Sequence, residues 1–304
     1  MPGQAPTKGV RVYAAGIVSN TISVVDVTTR KLVATVDAGT NPYGIARTPD
    51  GSKLYITNSG ASNVSVLDTA KGRIVTAVTV GLYPHGIAVS PDGAYAYVAD
   101  TGPDGPGGSD TVSVIHTRTD KVTATWHTGL NPRAVAVSPD GRTLYVACAD
   151  GLFVVDTGQG AVRSRLPGQA RAGGLAVHPD GSRVYVADTW ENTLTVIDAR
   201  SRRVRAQLRV GRNPWQVTPS PDGTRVFVTG ANDDTVTAVD TDRLRVFGTV
   251  RVGHVPTGIT VAGDTVWVAT NASSTVDAVD AKSFTLLGST PLGLATSPSG
   301  LVVA

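Results

Sequence analysis

A four-residue turn that keeps returning constrains the fold of this chain more than any other feature of its sequence. Ser90-Pro-Asp-Gly93 recurs as Ser138-Pro-Asp-Gly141 and Ser220-Pro-Asp-Gly223, with the variants Thr48-Pro-Asp-Gly51 and His178-Pro-Asp-Gly181. Their prolines lie 42, 48, 40 and 42 residues apart. The residue types suit a tight turn: proline presets φ, aspartate bonds the local backbone, and glycine accepts a positive φ. A repeat of this length cannot bury an apolar face alone, so successive units must pack on one another.

After each turn comes a short β-rich run (Leu54-Tyr-Ile-Thr57, Tyr97-Val-Ala99, Leu144-Tyr-Val-Ala147, Val184-Tyr-Val-Ala187, Val226-Phe-Val-Thr229). A second run follows and ends mostly in aspartate, as in Val64-Ser-Val-Leu-Asp68, Leu194-Thr-Val-Ile-Asp198 and Val276-Asp-Ala-Val-Asp280. Each unit thus reads as four strands: A before Pro-Asp-Gly, B after it, C ending in Asp, and an outer D such as Ile74-Val-Thr-Ala-Val-Thr-Val80. That is a propeller blade, and no segment of helical period competes with it. Strand A occurs seven times, near Tyr43, His85, Arg133, Gly173, Trp215, Thr257 and Leu292, whereas only six complete sets of B, C and D follow. Arg11-Val-Tyr-Ala14, Ile22-Ser-Val-Val-Asp26 and Leu32-Val-Ala-Thr-Val36 supply the missing set. The expected fold is therefore all-β: a seven-bladed β-propeller of four-stranded antiparallel blades, its ring closed by N-terminal strands B, C and D plus C-terminal strand A. Leu301-Val-Val-Ala304 also reads as a strand B and competes for the same slot. Residues 1–304 form one domain in this reading, with 1–7 as a disordered tail.

Tyr55-Ile-Thr-Asn58, Tyr97-Val-Ala-Asp100 and Tyr185-Val-Ala-Asp188 resemble the signature of the YVTN-repeat β-propeller family, and the resemblance covers essentially the whole chain. It implies a seven-bladed ring. Members of that family include cell-surface, periplasmic and cytosolic proteins, many of them binding proteins, with no shared catalytic motif to transfer. The chain departs from the pattern at Phe227-Val-Thr-Gly230 and Trp267-Val-Ala-Thr270, and it shows no export signal.

In such a ring the D-to-A and B-to-C loops share one face around the central tunnel. Tyr43, His85, Arg133, Gly173, Trp215, Thr257 and Leu292 then occupy equivalent positions at its mouth. As a pocket, this set offers flat walls from Tyr43 and Trp215, an anion clamp in Arg133 and a group that titrates near neutrality in His85. Arg171 and His254 lie in the same class of loop, and the B-to-C loops add Trp190 and Glu191. The opposing reading is that loop tips vary because solvent tolerates any side chain there. Asp100 and Asp188 read as loop caps. The insertion Thr101-Gly-Pro-Asp-Gly-Pro-Gly-Gly-Ser-Asp110 accounts for the 48-residue spacing and reads as a flap or a surface excursion.

Two functions fit. The first is a scaffold binding a small organic ligand or peptide through Tyr43, His85, Arg133, Arg171, Trp190, Glu191, Trp215, His254 and Thr257. The second is a cofactor-independent enzyme at the same funnel, a lyase, cyclase, isomerase or lactone hydrolase, with His85 or Tyr43 moving a proton. A metal-free lyase, cyclase or isomerase is favoured over a nucleophile-dependent hydrolase, since Gly-x-Ser-x-Gly is absent and Cys148 has no local base. The histidines show no metal-ligand spacing, and neither metal nor cofactor is expected. A net charge of +3 and a basic run at Arg200-Ser-Arg-Arg-Val-Arg205 without interleaved aromatics argue against nucleic acid. A protein partner is conceivable. No apolar stretch is long enough to span a membrane, the single cysteine precludes an intrachain disulfide, and a cytoplasmic monomer is expected unless a leader has been removed.

Overall fold

The computed structural model of the protein describes residues 9–103, 108–166 and 172–304. Seven four-stranded antiparallel sheets make up the ring. Blade 1 combines both ends of the chain: its strands B, C and D are Arg11–Gly16, Thr21–Asp26 and Leu32–Asp37, and its strand A is Pro298–Val303. Strands A of blades 2 to 7 are Pro42–Arg47, Pro84–Val89, Ala134–Val137, Ala172–Val177, Pro214–Pro219 and Pro256–Ala262. The expected tail at 1–7, part of the 101–110 insertion and Arg171 lie outside the described residues.

Strands B and C are buried on both faces, which is why their sequences read as near-continuous apolar runs; strands D alternate, as the outermost strand must. The core is consequently not central. It is divided into seven clusters, each formed by two neighbouring blades: Tyr97 and Val112 of blade 3 pack on Val146 and Phe153 of blade 4, and Trp267 and Val276 of blade 7 pack on Val12 and Val25 of blade 1. No blade buries its faces without both neighbours, so an open ring would leave two apolar sheets in water.

Closure rests on the pairing Val12↔Val303, Tyr13↔Val302 and Ala14↔Leu301, extended by reciprocal backbone bonds between Arg11 and Ala304 of 2.7 and 2.9 Å. This corrects two readings of the C-terminus. Leu292 does not begin the last strand A; it is a buried core residue between strands. Leu301 to Val303 are not a rival strand B but the body of strand A itself.

The recurring turns are held as their chemistry implies. In blade 3, Ser90 Oγ donates to Asp92 Oδ1 at 2.5 Å, the same oxygen accepts Ala94 N–H at 2.9 Å, and Gly93 takes φ 74°. On the tunnel side, neighbouring strands A approach closely enough that a Cβ on Gly44 or Gly258 would collide with the carbonyl oxygen of His85 or Ser299, respectively. Gly258→Ala should therefore destabilise the fold by about 2 kcal/mol through overpacking of backbone against backbone. An unchanged chemical-denaturation midpoint would contradict this.

Candidate functional site

Six of the strands A are preceded by the same local device. In six blades a residue with positive φ (Asn41, Tyr83, Asn131, Asn213, Val255, Ser297) precedes a proline, and the next residue faces the tunnel mouth. The register with strand B breaks just there, between Pro42 and Ile45, Pro84 and Ile87, and Pro214 and Val217. Such bulges re-aim a side chain out of the sheet. They bring Tyr43, His85 and Trp215, together with Arg133, to one rim. The seventh ring position is Ser299, not Leu292. The signal was present in Ser297-Pro298-Ser299, which matches Asn41-Pro42-Tyr43.

Ring residues of blades 2 to 6 enclose one cavity of about 270 Å³, bounded by Tyr43, His85, Arg133, Trp190 and Trp215 and floored by the small residues Ala149, Ala172 and Gly173. Tyr43 and His85 stack with centroids 4.4 Å apart and planes 14° from parallel. Burial pushes the Tyr43 phenol above its ordinary value, opposed by a hydrogen bond from Trp215 and by the charge of Arg133. It remains a protonated donor at neutral pH. The indole of Trp190, 66% exposed, stands over the cavity on the B-to-C loop of blade 5. That loop is held from beneath by Asp188 Oδ1, which accepts the N–H groups of Trp190 and Glu191, each at 2.9 Å.

The opposite arc of the mouth is spent on structure. Thr257 Oγ1 donates to Pro298 O at 3.0 Å and Ser299 Oγ to Tyr43 O at 2.9 Å. His254 pairs with Asp234 at 2.7 Å on the exposed rim and does not meet His85. Glu191 is exposed and outside the cavity lining, and Arg171 lies outside the described residues. Sequence reasoning missed Cys148, Ala149 and Thr189 as cavity residues; Cys148 ends strand B of blade 4 in the register of Asn58, and Ala149 and Thr189 follow strands B of blades 4 and 5 in the position of Ser59. Burial pushes the Cys148 thiol up to about 12, which keeps it from acting as a nucleophile. Among the described residues no group of three or more His, Cys, Asp or Glu side chains gathers to hold a metal ion. Nor, among them, is any helix long and apolar enough to cross a membrane.

Comparison with known proteins adds a partial family match and a fold. Residues 26–160 match the family described as "Lactonase, 7-bladed beta-propeller". The matched part contains Tyr43, His85 and Arg133 but neither tryptophan of the cavity. No curated protein matches the chain. Among solved structures, hydrazine synthase of Kuenenia stuttgartiensis is 23% identical with a TM-score of 0.78 over 86% of this chain and 89% of that one. A functionally unknown protein from Desulfotomaculum acetoxidans is 14% identical with a TM-score of 0.82 over 98% and 99%. The dihydro-heme d1 dehydrogenase NirN, solved in complex with DHE, is 14% identical with a TM-score of 0.72 over 99% and 77%. At these identities the likeness is one of fold.

Asp100, fully buried at the end of strand B of blade 3, accepts Gly81 N–H at 3.1 Å, Thr111 Oγ1 at 3.1 Å and Ser113 Oγ at 2.7 Å. Burial outweighs these bonds and raises its pKa to about 6. The folded state therefore holds this proton more tightly than the unfolded chain, and the contribution of Asp100 to stability falls as pH rises from about 4 to about 6. The loss is on the order of 2 to 3 kcal/mol. Asp100→Asn, which places here the residue type found at Asn58, should remove that part of the pH dependence. Parallel denaturation curves for both proteins across this range would contradict the assignment.

Proposed function

We propose that the chain binds a small planar organic anion in the funnel. The observation that carries this reading is the stacked Tyr43–His85 pair beside Arg133 and beneath two indoles in a single cavity. Flat walls select a flat ligand, and an arginine gives a carboxylate two parallel donors. The phenol of Tyr43 adds a third, neutral donor. A cavity of about 270 Å³ fits one or two fused rings rather than a folded peptide. Calorimetric titration with naphthoate and its uncharged counterpart naphthamide tests this. Naphthoate should bind saturably and more tightly than the amide, and Arg133→Ala should weaken it about tenfold while leaving the amide unaffected. Equal affinity for acid and amide would refute the anion clamp.

The match to the lactonase family favours a second reading at the same place, opening of a lactone. Water would attack the ring carbonyl as His85 takes its proton, and Arg133 would hold the oxyanion. On its collapse the ring C–O bond would break while His85 returns the proton to the leaving alkoxide, so that Arg133 is left holding the carboxylate of the hydroxy acid. The product would be the kind of anion the funnel suits. Proton release from butyrolactone or gluconolactone, followed at constant pH, should then fall about a hundredfold in His85→Ala with naphthoate binding retained. Absence of turnover with every lactone tried leaves the binding reading and removes this one.

A further inference from the structure

On the face opposite the funnel, a second cleft opens between blades 3 and 4. Its volume is about 450 Å³, and its walls include Tyr95, Tyr97, Thr123, Trp126 and Gln159 with no charged side chain. The corresponding cleft between blades 2 and 3 is filled. There Lys53 Nζ reaches Asp120 Oδ2 at 2.7 Å and Thr117 O at 2.8 Å, and Tyr55 donates to Asp120 Oδ1 at 2.5 Å. Tyr95 and Tyr97 occupy the positions of Lys53 and Tyr55 one blade on, and Gly160 occupies that of Asp120. Both turn residues have positive φ, 51° at Asp120 and 64° at Gly160, so the turn backbone is the same; the carboxylate has no counterpart, and the Trp126 indole lies directly against Gly160 instead.

The missing carboxylate leaves polar groups without partners. Tyr97 is only 2% exposed, Trp126 is half-buried and Gln159 is exposed, and no protein acceptor takes the Tyr97 hydroxyl, the Trp126 indole N–H or the Gln159 amide among the described residues, so these groups are open to a ligand in the cleft. Burial holds the Tyr97 phenol up to about 12, so it is present as a donor. Tyr97 and Trp126 lie with centroids 5.4 Å apart, and Tyr95 adds an exposed ring at the mouth, supported edge-on by His116.

We propose that this cleft binds a neutral sugar ring, the apolar C–H face lying against the aromatic walls and the hydroxyls pairing with Tyr97, Trp126 and Gln159. An uncharged, aromatic, donor-rich cleft is poorly matched to an anion or a cation, and donors that line it without protein acceptors favour a ligand with several acceptors. The volume accommodates one pyranose with part of a second.

Saturation-transfer NMR with methyl glucoside, methyl galactoside and maltose tests the free sugars. Pull-down of a glycoprotein carrying N-linked glycans, against its deglycosylated form, tests an attached glycan. The proposal expects saturable transfer from at least one sugar or glycan-dependent capture. Tyr97→Phe, which keeps the packing, should reduce that binding about fivefold. Gly160→Asp, whose Cβ would displace the Trp126 indole from the cleft wall and bring a carboxylate in its place, should abolish it. Binding of neither probe class, equal capture of the deglycosylated protein, or undiminished binding in both folded variants would overturn the proposal, as would saturation of the cleft by a proline-rich peptide instead. Naphthoate binding in the funnel should be unaffected by either variant.

Discussion

Everything in this molecule depends on the ladder between Pro298–Val303 and Arg11–Gly16. The apolar surface is divided among seven interfaces, and every sheet needs a neighbour on both faces, so the ring gains its last increment of burial only when the two ends of the chain meet. Closure also fixes the number of blades and hence the width of the mouth. With seven strands A crowded around the axis, neighbouring backbones touch, and glycines such as Gly44 and Gly258 stand where a side chain would push the ring open. The scaffold is rigid for the same reason that it is closed.

That rigidity explains why the mouth can be divided in labour. Six blades present a side chain there just behind a proline, while Gly173 of blade 5 presents none, yet the six do not serve one purpose. Thr257 and Ser299 give their hydroxyls to ring carbonyls and seal the backbone. Tyr43, His85, Arg133 and Trp215, with Trp190 from an adjoining loop, line the cavity. The cavity is therefore off the axis, on the side of blades 2 to 6. Thr57, whose Oγ1 donates to His85 O at 2.7 Å and accepts Gly44 N–H at 2.8 Å, ties two of these blades together directly beneath the Tyr43–His85 stack.

The ring and its closure were legible because Pro-Asp-Gly and the Tyr-Val runs mark each blade through local chemistry. Blade 1 was harder at its C-terminal strand, since no Pro-Asp-Gly follows Pro298. Leu292 then offered a false start, being apolar for the different reason that it packs against blade 7. The cavity residues Tyr43, His85, Arg133 and Trp215 were found by alignment alone, whereas His254 was not separable from them. Its engagement by Asp234 joins residues 20 apart on adjacent blades, and no periodicity reports such a pair. The burial that silences Cys148 likewise depends on a neighbouring loop.

The central claim, that the funnel is a prebuilt pocket on one side of the mouth, can be read directly by fluorine NMR of protein labelled with fluorotryptophan. The four tryptophans, Trp126, Trp190, Trp215 and Trp267, report separately on the opposite face, the lip, the wall and the core. Titration with naphthoate should shift the resonances of Trp190 and Trp215 along one binding curve and leave those of Trp126 and Trp267 in place. An unmoved Trp215, or a shift shared by all four, would contradict the account.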